Sequence, residues 1–175
     1  MTADTTATES TTAAADVATD AATGAELVVP PVRLDVDVLA PHINKAMLHL
    51  DTASRKSTVD PVILDLVRLR ASQLNGCAYC VDTHTTDLRA AGQDGRRVSA
   101  VAVWREMPFF TARERAALEL TEAGTRLTDG PVTDEVFDRA AAEFTATELA
   151  ELIWTITVIN AWNRLGAIAR PWPIG

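Results

Sequence analysis

Punctuation constrains this chain more than any other feature. From Pro41 onward, residues that start helices and residues that stop them alternate at about one helix length, and the stretches between carry apolar side chains three and four apart. Asp60-Pro61 joins a favoured N-cap to a proline at the first helical position, Ile63, Leu64, Val67, Leu69 and Leu74 follow, and Asn75-Gly76 closes the run. Gly92 ends another run after Leu88, Ala90 and Ala91, Pro108 ends the next, and Asp129-Gly-Pro131 interrupts the chain again. Thr111-Ala-Arg-Glu114 and Thr145-Ala-Thr-Glu148 are capping boxes, in which threonine and glutamate each serve a backbone N–H of the first turn. These marks predict helices over about 42–55, 61–75, 77–92, 95–104, 112–126, 134–144 and 146–170. The β-branched runs are too short and irregular to specify a sheet. The expected class is all-α, a compact bundle of six to seven helices whose short connections favour antiparallel neighbours.

Residues 1–24 stand apart. They hold eight Thr, eight Ala and four acids with no base, too little apolar surface to offset the entropy of ordering. A disordered tail over 1–24 and one helical domain over 25–175 are expected. The tail lacks the basic start and apolar stretch of a secretory signal, and no later run approaches the roughly 18 apolar residues of a membrane span. A cytoplasmic protein without membrane association is expected. Half of the net charge of −8 comes from Asp4, Glu9, Asp16 and Asp20, and neither part shows a basic footprint for nucleic acid.

Two cysteines are too few for a secreted disulfide framework, and a CxxC loop is too short to add much stability, so chemistry is the better use for them. If the helix starts at Cys77, then Cys77, Cys80 and His84 sit at i, i+3 and i+7 on one face. A thiol of pKa about 8.5 is mostly protonated at neutral pH, yet the thiolate is the nucleophile. The positive end of the helix dipole and the His84 imidazole both favour the thiolate, and Cys80 is best placed to receive both. Such a thiolate can attack a hydroperoxide and become a sulfenic acid, which Cys77 then condenses to a disulfide. His84 is suited to move the protons, Asp65 on the preceding helix to orient or recharge it, and an external dithiol to reopen the disulfide. No bound cofactor or metal is required.

The run SQLNGCAYCVDTH, with Trp104-Arg-Glu106, the segment FFTARERAAL over 109–118 and NAWNR over 160–164, resembles the AhpD-like alkylhydroperoxidase branch of the carboxymuconolactone decarboxylase family. The resemblance covers about residues 30–170. It implies an all-helical fold and a motif of glutamate, CxxC twelve residues later and histidine four residues after that. By that motif Cys80 is peroxidatic, Cys77 resolving and His84 a proton relay, with Asp65 in the glutamate position. The chain departs from the pattern at Asp65, whose arm is shorter by one methylene, about 1.5 Å of reach, and at Tyr79, where well-studied peroxidases of the family carry histidine. The resemblance further implies a small hydroperoxide substrate, a dithiol or lipoamide-type reductant and a trimeric or hexameric homo-oligomer.

Blander uses compete. Cys77, Cys80, His84 and Asp65 could bind zinc, and the thiols could be inert core residues. Asp65 could be a solvated residue paired with Arg68 or Arg70. His42 and His49 have no partner motif and read as surface or packing residues. Trp104, Phe109, Phe110 and Trp162 read first as core or subunit-interface side chains, Trp154 adds to the large apolar set, and Asn160 and Arg164 read as structural hydrogen-bonding residues. The rival functions are a lactone decarboxylase that needs no redox cysteines and a non-catalytic redox sensor.

Overall fold

The computed structural model describes residues 17–19 and 24–174, among which eight α-helices form, seven of them in the punctuated region. They are α1 (Val36–Leu39), α2 (Pro41–Ser54), α3 (Pro61–Asn75), α4 (Ala78–Ala90), α5 (Gly95–Ser99), α6 (Ala112–Thr125), α7 (Asp134–Glu143) and α8 (Ala146–Ala169). The all-α class stands. Most of the tail expected over 1–24 lies outside the described residues. Within it, Val17–Thr19 pairs antiparallel with Glu26–Val28 as a short ribbon, the two strands among the described residues.

Local chemistry sets the ends. The Asp60 carboxylate accepts the Val62 N–H at 2.8 Å at the start of α3, and both threonine capping boxes form at the starts of α6 and α8. The helix expected over 95–104 is shorter than its pattern: α5 stops at Ser99 and the chain tightens into a 3₁₀ turn over Ala100–Val103. Beyond that turn the Trp104 indole N–H donates to Glu122 on α6 at 2.9 Å, a tertiary bond the local pattern does not record. The single turn α1 was not legible either, because four residues carry no periodicity.

Helix α3 is the axis of the bundle, packed against α4, α6 and α8. Leu64, Leu66, Val67, Leu69 and Ala71 are all buried, so this helix is covered on more than one face. One core forms between α3, α6, α7 and α8 around Leu64, Ala117, Ala140 and Leu152. A second gathers Leu66, Leu88, Val101 and Trp104, and a third, small one gathers Ala71, Cys77, Cys80 and Ile159. An arm before α1 ties the ends together: the Arg33 and Leu34 N–H groups both donate to the Ala169 carbonyl at 3.1 Å, satisfying an acceptor that the last turn of α8 cannot use. Among the described residues, no helix is long and apolar enough to cross a membrane.

Candidate active site

The loop between α3 and α4 places the sulfurs. Gly76 takes the left-handed conformation (φ +66°) that ends α3, Cys77 then becomes extended, and its N–H donates to the Ser72 carbonyl at 3.1 Å. Helix α4 therefore starts at Ala78, and Cys77 is its N-cap rather than its first residue. The expected i, i+3, i+7 face is corrected accordingly: Cys80 and His84 share a helical face at i, i+4, while Cys77 approaches from outside the helix. The two sulfurs still meet, joined as a disulfide with Cα atoms 5.4 Å apart.

The surroundings of the two sulfurs differ. Cys80 lines a pocket of about 310 Å³ together with Tyr79 and His84 from α4, Arg68 from α3, Trp162 from α8 and Trp172 beyond it. Cys77 does not line it; 1% exposed, it packs behind with Ala71, Ile159 and Gly166. Beneath it the Asn75 amide donates to Asn160 at 2.9 Å, Asn163 meets the Ser72 hydroxyl at 3.0 Å, and Arg164 donates to the Asn160 carbonyl at 2.8 Å. Asn160 and Arg164 are thus engaged in hydrogen bonds that tie α8 to the end of α3 and to its own preceding turn.

His84 is 4% exposed, and its Nδ1 lies 3.6 Å from both Asp65 Oδ1 and Asp87 Oδ2 without a hydrogen bond. Asp65 Oδ1 accepts from Arg68 Nη1 at 2.9 Å. Burial alone would push the Asp65 carboxyl up, but the His84 imidazole and the Arg68 guanidinium outweigh it and hold the group below its ordinary range. Arg68, 5% exposed, has its own pKa lowered, chiefly by burial. Arg70, the other partner considered for Asp65, bonds Glu122 instead.

Of the zinc set, the sulfurs are bonded to each other. The side chains whose ligand atoms converge within 4.8 Å are Asp65, His84 and Asp87, which include neither cysteine. His42 and His49 are exposed on α2, Trp104 and Phe110 are core residues, and Trp154 is exposed. Trp162 belongs to the pocket wall, where its indole donates to Asp51 at 3.3 Å. Sequence reasoning missed Arg68, Asp87 and Trp172 as site residues. The first two had a readable signal, each standing three residues after a predicted site residue. Trp172 lies past the last helix, in a segment with no pattern.

Comparison with known proteins gives the chain its family. The carboxymuconolactone decarboxylase family model matches residues 41–123. The uncharacterized protein YdfG of Bacillus subtilis (strain 168) is 34% identical over 127 residues, 73% of this chain and 86% of that one. The uncharacterized protein YnjA of Escherichia coli (strain K12) is 39% identical over 115 residues, 65% of this chain, which spans 62% of that protein's length. A crystal structure from Agrobacterium tumefaciens, of a protein of unknown function provisionally placed with the antioxidant defence protein AhpD, superposes with a TM-score of 0.80. Identity is 32%, over 83% of this chain and 100% of that one. The debrominase Bmp8 shares the fold at 19% identity, with a TM-score of 0.69 over 76% of this chain and 72% of that one. The chain belongs to the carboxymuconolactone decarboxylase family, in its AhpD-like branch.

Proposed function

We propose that the protein is a thiol peroxidase that reduces organic hydroperoxides through a Cys77/Cys80 dithiol–disulfide cycle. The observation that carries this reading is the asymmetry of the pair: Cys80 lines the pocket beside His84, and Cys77 is packed behind within bonding reach.

With the disulfide open, His84 takes the Cys80 proton, and the Cys80 thiolate attacks the terminal oxygen of ROOH. The S–O bond forms as the O–O bond breaks, sulfur loses two electrons to the peroxide, and the leaving alkoxide takes the proton from His84 to depart as ROH. Cys77 then attacks the Cys80 sulfenic acid, the S–S bond closes, and the hydroxyl leaves with the Cys77 proton as water. An external dithiol, small or of lipoamide type, exchanges with the disulfide and is itself oxidised. Cys80 sits at the third position of α4, in the first turn, where the positive end of the helix dipole favours a thiolate, and its own N–H donates to Cys77 Sγ at 3.4 Å.

Steady-state hydroperoxide consumption with excess dithiol tests this. Cys80→Ser is expected to fall to the uncatalysed background. Consumption that survives Cys80→Ser contradicts the reading, as does wild-type protein that oxidises once and never turns over, which is the behaviour of a sensor. A lactone decarboxylase would keep its activity in Cys80→Ser.

A further inference from the structure

We infer that Asp87 is a second positioning carboxylate for His84: with Asp65 it holds the proton on Nδ1 and leaves Nε2 as the nitrogen that trades a proton in the pocket. The inference rests on the peroxidase reading for its consequence in turnover, though not for its geometry.

The starting observation is a buried nitrogen without a hydrogen bond. His84 Nδ1 stands between Asp65 Oδ1 and Asp87 Oδ2, 3.6 Å from each. A buried polar atom left this way is costly, and two carboxylate oxygens stand just beyond bonding distance of it. Each lies a few tenths of an ångström beyond hydrogen-bond length, so a small rotation toward either one completes a bond. Only an N–H on Nδ1 gives those carboxylates something to accept, and that tautomer leaves the Nε2 lone pair free for the Cys80 thiol.

The two carboxylates are not equivalent. The Asp65 oxygen facing His84 already accepts from Arg68, and its side chain is 16% exposed. Asp87, three residues after His84 on α4, has no guanidinium among its hydrogen bonds and is 42% exposed. Asp51 on α2, Arg55 just past its end and Asp37 on α1 add charge around the same pocket, with Arg55 within electrostatic reach of Asp51, Asp65 and Asp87. The ring takes a second proton when Cys80 becomes a thiolate. The proton travels from Cys80 to Nε2 and from Nε2 to the leaving oxygen, and neither carboxylate takes it. The guanidinium already on Asp65 opposes a resident divalent cation among these groups.

The test compares Asp87→Asn, Asp65→Asn, the double variant, and Asp87→Asn combined with Asp65→Glu. Nitrogen-15 spectra of His84 in the oxidised protein read the tautomer directly. The wild type is expected as the Nδ1–H form, each single variant as a mixture, and the double variant as mainly Nε2–H. Hydroperoxide reduction is expected to fall about threefold in Asp87→Asn, the scale of one part-exposed charge. It falls about a hundredfold in the double variant, the scale of a general acid–base contribution. Asp65→Glu, reaching further by one methylene, restores Asp87→Asn. An Asp87→Asn spectrum identical to wild type, or a double variant no worse than Asp65→Asn alone, overturns the inference, as does loss of wild-type activity on chelation. The expected spectra from a protein that never consumes hydroperoxide would remove the peroxidase reading and leave the place of Asp87 standing.

Discussion

Gly166 leaves the Cys77 sulfur almost no room. A methyl group built there would stand 2.5 Å from Cys77 Sγ and 3.4 Å from the Trp172 ring, so one of them must move. Gly166→Ala is therefore expected to destabilise the oxidised protein by about 1–3 kcal/mol, the usual scale of overpacking, and to slow disulfide closure after peroxide attack. Thermal melts of oxidised protein and stopped-flow closure check both, and a variant equal to wild type in each would contradict this packing. No spacing rule points to Gly166 in the sequence, because the contact joins α8 to the α3–α4 loop. Cys80 and His84 were legible as one face of α4 from their spacing of four, whereas Asp65, on α3, comes within 3.6 Å of the imidazole only because the two helices pack together. The place of Cys77 was legible only in part: the left-handed turn at Gly76 sets the extended backbone that moves Cys77 off the helix face.

At the scale of elements, Glu122 on α6 ties three parts of the bundle together. It accepts from Arg70 on α3 at 2.7 Å, from the Trp104 indole at 2.9 Å, and from Arg105. Burial would raise its carboxyl, but Arg105, Trp104 and Arg70 outweigh that and hold it below its ordinary 4.5. Because the folded value is the lower one, the stabilisation is fully present above pH 4.5 and is lost as pH falls through the folded value. Glu122→Gln is expected to cost about 3 kcal/mol at neutral pH, and the gap from wild type is narrower at an acid pH below the ordinary 4.5, where the stabilisation is being lost. Denaturant unfolding at the two pH values measures this, and a gap independent of pH would contradict it. The same hub explains the helix that the pattern overextended, since α5 gives way to the tighter turn before Trp104. Capping boxes, by contrast, act within four residues, and both helices they announced begin where expected.

Across the whole molecule, the site is assembled from pieces far apart in the chain. Helices α3 and α4 bring the carboxylates, imidazole and sulfurs, α8 brings Trp162, and the two ends of the fold close the pocket. There the Trp172 indole donates to Asp37 at 2.8 Å and its ring lies 5.0 Å from that of Tyr79, tilted by 42°. The grouping of the candidate residues was readable because it is local to one helical hairpin, and the pocket was not, because its walls meet only through tertiary packing. What the whole arrangement claims is that peroxide reaches Cys80 and that Cys77 arrives second. The most direct measurement is the intact mass and peptide map of reduced Cys77→Ser after one equivalent of hydroperoxide. The account predicts one added oxygen, trapped as sulfenic acid or its adduct on Cys80, whereas reduced wild type loses two hydrogens. Oxygen found elsewhere, or a Cys77→Ser protein left unmodified, would contradict it.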